Sequence, residues 1–281
     1  MIFFTALAFC DWSELQKTRR ELLRVHTFPQ SFSAKYQQLD SFINSEANIM
    51  LDHLLTYSGN PIEFKPLLLH TCANIFLLHF CGTRYTYSDE SFTKMTFYFD
   101  QIFYEVTQGY AGDFMPWMLP LYRKHFNNIQ KWTKHIRKFT TQIVNERYAT
   151  WQPGRESSDY IDTLIETIRK EDDKEIDLEI AMFSLEDIIG GHAAIANFLM
   201  KVLAYIAVKP DVQAKIRAEI YSITKGKRDV GLTDRRRMPY TEAVLLETIR
   251  LIASPIVPHV ASQDSSIAGW YINYYIYIFF S

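Results

Sequence analysis

The stretch SLEDIIGGHAAIANFLMKVLAYIA, residues 184–207, lies in the longest part of this sequence that has the apolar spacing of a helix. The helical pattern begins near Ile176 and ends before Pro210, and about 30 residues at 1.5 Å each predict a helix of roughly 45 Å. A helix of that length crosses a whole domain. Gly190 and Gly191 lie inside it, and an interior glycine costs a helix about 1 kcal/mol relative to alanine. We therefore expect a packing or functional reason for the pair.

The glycine pair is part of a face with very little side-chain bulk. Asp187, Gly190, Gly191 and Ala194 share this face, because residues three and four positions apart are neighbours on a helix. Two interpretations are open. A flat or bulky ligand could lie against the backbone here, or a second helix could pack closely against it.

Most of the remaining chain also shows the three-to-four spacing of helices. Strand signals occur only near the end, at about 258–262 and 266–269. The sequence therefore predicts a mainly α fold with little β structure, in one domain over residues 1–270. Further helices are expected at about 12–24, 33–55, 66–81, 91–106, after 120 to 150, 158–169, 210–223 and 239–251.

The end of the chain, residues 271–281, has an unusual composition. From Tyr271 to Phe280 it contains only tyrosine, isoleucine, phenylalanine and one asparagine. The codons of these amino acids are rich in A and T, so we interpret the segment as an aberrant tail that resembles translated non-coding sequence. The alternative is an exposed, aggregation-prone strand.

Composition excludes several classes of protein. The 281 residues are 48% hydrophobic and 22% charged, with a formal net charge of −2, which suits a single globular core and indicates no nucleic-acid partner. The three cysteines, Cys10, Cys72 and Cys81, include no C-x-x-C pair, so neither a disulfide framework nor a zinc site is expected. No uninterrupted apolar run approaches the length of about 20 residues that spans a bilayer.

Two further motifs could carry chemistry. Glu247 and Arg250 are three positions apart on a predicted helix and can form an ion pair. Since the residues around them are apolar, we expect the pair to be buried, and a buried guanidinium needs a bidentate partner.

The second motif is Trp12 with the cations that follow it, Lys17 among them. An indole N–H and cations on one helix could hold ligand carboxylates. The alternative is a solvated basic face. His259 is also ambiguous, because a lone histidine is usually an ordinary polar residue.

In their order and spacing, these segments resemble the cytochrome P450 family. The long helix with its glycine pair, followed by KPDVQAKIRAEI at 209–220, is similar to the family's I and J helices. The segment MPYTEAVLLETIRL at 238–251 is similar to its K helix with the E-x-x-R motif, and the segment around Trp12 is similar to its C helix. The resemblance implies a cytochrome P450-like helical fold, incomplete and spanning the C helix to the K helix.

A narrower resemblance rests on three short segments. GGHAA at 190–194, DWSELQK at 11–17 and SPIVPHVA at 254–261 are similar to the arthropod Spook-type P450s. That subfamily is tied to ecdysteroid synthesis, at an early step on a sterol precursor. The resemblance thus implies a haem-thiolate monooxygenase that takes electrons from a reductase and acts on a sterol-like molecule at the endoplasmic reticulum.

The resemblance also implies roles for particular residues. Trp12, Lys17 and His259 would hold the haem propionates. Gly190 and Gly191 would let the long helix pass over the haem and the bound oxygen, next to Ala194. Glu247 and Arg250 would be structural residues that brace the loop of the axial cysteine.

The sequence departs from the family pattern in two places. The cysteine that binds the haem iron lies well after the K helix in the family, and the chain ends before it, without the N-terminal membrane anchor. We therefore interpret the chain as a fragment, and the alternative is a non-catalytic, truncated helical protein without haem. In addition, Ala193 and Ala194 replace the usual acid and threonine that relay protons. Protons would then come from water, from a substrate hydroxyl or from His192.

Overall fold

The computed structural model describes residues 13–27, 29–108, 110–152, 154, 158–170, 178–252, 259–260, 263–272 and 277–278. The fold is mainly α, as predicted, and within these described ranges β structure is confined to short strands near the end of the chain. The α-helices are α1 (Glu14–Thr27), α2 (Ala34–Leu55), α3 (Phe64–Cys81), α4 (Glu90–Val106), α5 (Ala111–Phe114), α6 (Arg123–Thr150), α7 (Tyr160–Lys170), α8 (Leu178–Ala207), α9 (Pro210–Thr224) and α10 (Pro239–Ile252). Two 3₁₀ helices span Pro116–Tyr122 and Leu232–Arg237.

Each predicted long helix is present, with bounds within a few residues of the expected ones. Local capping explains several of these ends. Ser33 and Asp89 each accept a hydrogen bond from a backbone N–H in the first turn of α2 and α4, as good N-cap residues do. Pro210 begins α9, where a missing N–H costs nothing.

The strands form two small antiparallel pairs. Strands β2 (Ser265–Ile267) and β3 (Trp270–Ile272) make a hairpin, and β1 (His259–Val260) pairs with β4 (Tyr277–Ile278). The strand predicted at 266–269 is therefore partly wrong, because Ala268 and Gly269 have positive φ and form the turn of the hairpin. Strand β3 begins at Trp270 and continues past the predicted boundary between residues 270 and 271. The start of a separate tail at residue 271 stays a prediction.

Helix α3 lies at the centre of the hydrophobic core. It is buried on most sides, and it packs between α2 and α8, with α4 and α7 also in contact. Its apolar composition on all faces predicted this position. The core extends through residues of α4, α6, α7 and α8, including Phe92, Ile143, Ile161, Leu185 and Ile189.

Among the residues that the structure describes, two helices are long and apolar enough, by length and composition, to cross a membrane. They are α3 and residues Met182–Ala207 of α8, of which 61% and 33% respectively are buried inside the protein. Core helices of soluble proteins share these properties. Both helices reach this apolar length although polar residues interrupt them.

The loop between α9 and α10 is fixed by the carboxylate of Asp234. Arg228 donates to both oxygens of Asp234 at 2.6 and 2.8 Å, and the Gly231 N–H donates at 3.0 Å. The Leu232 N–H donates to Asp40 of α2 at 2.6 Å, which holds the loop to the rest of the domain. The hydrogen bonds from Arg228, followed by the one from Gly231, lower the pKa of Asp234 to about 2.

We expect this carboxylate to make stability depend on pH in acid. A folded-state pKa below the ordinary value, near 3.9, means that the stabilisation is present above about pH 4 and is lost as the pH falls towards 2. Asp234→Asn should be less stable than the wild type at neutral pH, and the difference should shrink below about pH 4. Urea unfolding of both proteins across this range measures it; a difference that stays constant would contradict the prediction.

Candidate functional site

The two glycines of α8 face aromatic rings of neighbouring helices. A Cβ on Gly190 would lie 2.9 Å from a ring carbon of Phe99 in α4, and one on Gly191 would lie 3.2 Å from a ring carbon of Phe76 in α3. Real side chains almost never approach so closely, so only glycine fits at position 190 without a shift. Such close approach of side chains from α3 and α4 to the glycines is what the helix-packing interpretation predicts. Ala194, on the same face, is half-buried, and a role of this face toward a cofactor stays a prediction.

His192 points into the protein interior. Its side chain is fully buried, and its ring meets the ring of Phe99 edge-on with 5.5 Å between centroids. Nδ1 lies 2.5 Å from the Ile189 carbonyl oxygen. Burial lowers the pKa of His192 to about 4, so the imidazole is neutral at neutral pH. The carbonyl must then accept from an Nδ1–H, which leaves no proton on Nε2 for delivery elsewhere.

A buried polar network ties α8 to α3 and α4, and the sequence did not predict it. Asp100 of α4 accepts from Asn197 of α8 at 2.7 Å and pairs with Lys65 of α3 at 2.7 Å. Asn197 also donates to the Ala193 carbonyl at 2.9 Å. The network fixes the turn of α8 that follows the glycines. A single aspartate within an aromatic helix gave no signal for this, because such residues are usually solvated.

Helix α1 directs Arg19, rather than Lys17, toward α8. Arg19 is 4% exposed and donates to the Ser184 hydroxyl at 3.2 and 3.0 Å. Lys17 is exposed and lies 3.6 Å from Glu14 on the same helix. Trp12 lies outside the described residues, so its predicted role with Lys17 is untested.

His259 lies in strand β1, where it pairs with Ile278. Its side chain is outside the described part of the structure. The role of His259 at a propionate therefore stays a prediction.

Glu247 and Arg250 form the predicted ion pair. Arg250 donates to both carboxylate oxygens, at 2.7 and 2.6 Å. The prediction that the pair is buried is wrong, because the two side chains are 53% and 69% exposed. Of the four apolar residues expected to cover them, Leu245 is half-buried and the other three, Leu246, Ile249 and Leu251, are exposed.

An exposed pair of this kind stabilises a helix only slightly. We therefore expect Arg250→Ala to leave the urea midpoint of this chain unchanged. Thr248→Asp is the matched control on the same helix. Thr248 is 3% exposed, so a charge placed there should lower the midpoint clearly. A loss for Arg250→Ala comparable to that of the control would show that the pair has a larger structural role.

The described cysteines do not fit the role of a haem-iron ligand. Burial raises the pKa of the Cys72 thiol to about 12, and burial, with Asp159 nearby, raises that of Cys81 as well. An axial ligand of this type is a thiolate that faces the haem, whereas Cys72 and Cys81 are buried among core side chains. Within the described ranges, no three histidine, cysteine or acidic side chains are grouped to hold a metal ion.

Comparisons with known proteins agree with this architecture. The family model described as "Cytochrome P450" matches residues 6–277. The chain is 40% identical over 270 residues to cytochrome P450 307a1 of Drosophila melanogaster, covering 94% of this chain and 49% of that protein. It is 27% identical over 275 residues to farnesoate epoxidase of Bombyx mori, covering 95% of this chain and 54% of that protein.

Solved structures show the same fold. Two zebra fish cytochrome P450 structures, one with progesterone and one with abiraterone, superpose with TM-scores of 0.81 and 0.78 at 22% and 21% identity. They cover 98% of this chain, which in turn covers 64% and 62% of theirs. The chain spans about half the length of the curated relatives it matches. From its helical architecture and from the family match along almost its whole length, the chain belongs to the cytochrome P450 family.

Proposed function

We propose that this chain is part of a haem-thiolate monooxygenase of the Spook type that oxidises a sterol-like substrate. The observation that carries the proposal is the 40% identity, over 94% of the chain, to an insect cytochrome P450. The narrower segments GGHAA, DWSELQK and SPIVPHVA support the same subfamily. That the two zebra fish structures of the same fold contain progesterone and abiraterone is compatible with a small, rigid, largely apolar substrate.

Within this proposal, the described residues supply the helical framework. The glycine pair brings Phe99 and Phe76 against α8, and Asp100 fixes the following turn through Asn197. We propose haem binding only for the longer protein, because both described cysteines are buried in the core and do not fit the role of axial ligand. Lys17 is exposed and has Glu14 as its neighbour at 3.6 Å, and we propose that it binds a propionate in the longer protein. A reductase partner and an anchor in the endoplasmic reticulum membrane are proposed on the same family grounds.

The side chains of α8 limit the possible sources of the protons that oxygen activation needs. Ala193 and Ala194 have no polar side-chain atom, and neutral His192 carries no proton on Nε2. We propose that water or a hydroxyl group of the substrate supplies the protons in the complete enzyme.

The direct test uses the full-length protein that contains this chain, expressed in microsomes with its reductase. We expect the carbon monoxide difference band of a thiolate-ligated haem, and oxidised products when cholesterol is supplied with NADPH. Fatty acids of similar apolar area are the control substrates. A haem-loaded protein that turns over the fatty acids and leaves cholesterol unchanged would contradict the sterol-like substrate, while the family assignment would stand.

A second candidate function, a non-catalytic helical protein, is favoured by the burial of Cys72 and Cys81 in the hydrophobic core. For the 281-residue chain expressed as written, we expect no thiolate-type carbon monoxide band, because a protonated buried thiol is a poor iron ligand. The full-length protein, treated identically, is the positive control. A clear band from the shorter chain would require one of its cysteines to bind iron.

A further inference from the structure

The most unusual buried group in the described structure is Nε2 of His192. The side chain is fully buried, and Nε2 has no hydrogen-bond partner among the described residues. Because Nδ1–H donates to the Ile189 carbonyl at 2.5 Å, the neutral ring must present a bare lone pair at Nε2. His192 is therefore a hydrogen-bond acceptor that needs a donor.

The titratable groups whose charges act on His192 are Asp100 and His70, and neither forms a hydrogen bond with Nε2. Asp100, whose charge acts on His192, is an acceptor when ionised. Its oxygens are occupied by Lys65 and Asn197, each at 2.7 Å. The Asn197 amide is also engaged with the Ala193 carbonyl. The surrounding side chains therefore leave the acceptor unsatisfied, which is rare for buried polar atoms in native proteins.

We infer that a small O–H donor binds at Nε2 of His192, and that this donor is an internal water molecule or a hydroxyl group of a ligand. A water molecule is the usual way to satisfy a buried polar atom. A ligand hydroxyl offers the same chemistry. The Phe99 ring covers one side of His192, since it meets the imidazole edge-on and also lies next to Gly190.

The site does not depend on the sterol-like substrate proposed above; only the ligand source of the hydroxyl rests on that proposal. A steroid with a hydroxyl can donate to Nε2, whereas a steroid with only ketones cannot, because a ketone oxygen is an acceptor. Pregnenolone and progesterone form a matched pair on one carbon skeleton, with a 3-hydroxyl in the first and a 3-ketone in the second.

The test is ¹⁵N NMR of the full chain with labelled histidine. His26 is the internal reference, because its Nδ1 lies 3.2 Å from the Lys35 ammonium and its Nε2 lies 3.0 Å from the Thr163 hydroxyl. Since Lys35 can only donate, Nδ1 of His26 is a hydrogen-bonded acceptor in a buried neutral ring. The His192 signal is identified by its loss in His192→Phe, or by linkage to backbone resonances if that variant does not fold.

We expect the His192 Nε2 resonance to have the chemical shift of a hydrogen-bonded acceptor, close to that of His26 Nδ1. If the Nε2 resonance has this chemical shift without added steroid, and neither steroid changes the shift, the occupant is water. If it moves to this position only with pregnenolone, the occupant is the ligand hydroxyl. A resonance at the position of an unbonded neutral nitrogen in all three samples overturns the inference and leaves the proposed monooxygenase function untouched.

Discussion

Arg147→Met is expected to lower the free energy of unfolding by about 3–5 kcal/mol, since it removes one partner from a buried ion cluster. Arg147 of α6 donates to Asp159 and Asp162 at 2.8 Å each, and to the Cys81 carbonyl at 2.9 Å. The two carboxylates are 6% and 2% exposed. Without the guanidinium, two acidic groups stay buried at the place where α3, α6 and α7 meet.

The loss should appear in urea unfolding at neutral pH. Lys94→Met is the matched control, since it breaks the exposed ion pair of Lys94 with Glu90 on α4 and should change the midpoint little. Arg147→Lys keeps the positive charge but loses the planar set of N–H donors that binds two carboxylates at once. We therefore expect a loss of stability between those of the control and of Arg147→Met. Equal stability of Arg147→Met and the wild type would mean that the cluster contributes nothing.

The same cluster makes Gly82 irreplaceable in its present conformation. Its φ of +61° is the left-handed conformation that ends α3, which glycine adopts at little cost. A Cβ there would lie 2.9 Å from an Asp159 oxygen and 3.1 Å from Arg147. The turn that ends α3 therefore brings the Cys81 carbonyl to the guanidinium only because residue 82 has no side chain.

Gly190→Leu is expected to destabilise the chain by about 1–3 kcal/mol through overpacking, although leucine is a better helix former than glycine. The reason is Phe99, whose ring lies 2.9 Å from the position of the new Cβ. Ile195→Leu is the control, because Ile195 is on an exposed part of the same helix. Thermal or urea unfolding of the chain without haem measures both.

A double-mutant cycle identifies the cause. If the clash with Phe99 is responsible, Gly190→Leu should cost much less in a Phe99→Ala background, because residues in contact are not additive. If Gly190→Leu lowers the stability equally in both backgrounds, the strain comes from a contact other than the one with Phe99. Haem occupancy of the full-length protein separates the two interpretations of the glycine face. A large loss of stability without haem and normal haem loading would favour helix packing, and the reverse would favour a cofactor surface.

The sequence by itself determined the helical elements and the family. Periodic apolar residues and turn residues are local signals, so they located α8, α9 and α10 to within a few residues. The pairing of Glu247 with Arg250 was also predictable, since residues three positions apart on a helix face each other. The family resemblance followed because GGHAA and the E-x-x-R segment occur at the expected order and spacing.

Only the tertiary structure decided what these residues touch. Gly190 meets Phe99, which is far away in the sequence, and Asp100 reaches Asn197 across 97 positions. Helix periodicity predicts that a face is buried or bare, but not which helix covers it. For the same reason the exposure of Glu247 and Arg250 was predicted wrongly: apolar flanks bury an ion pair only when another element packs over them, and packing depends on segments distant in the chain.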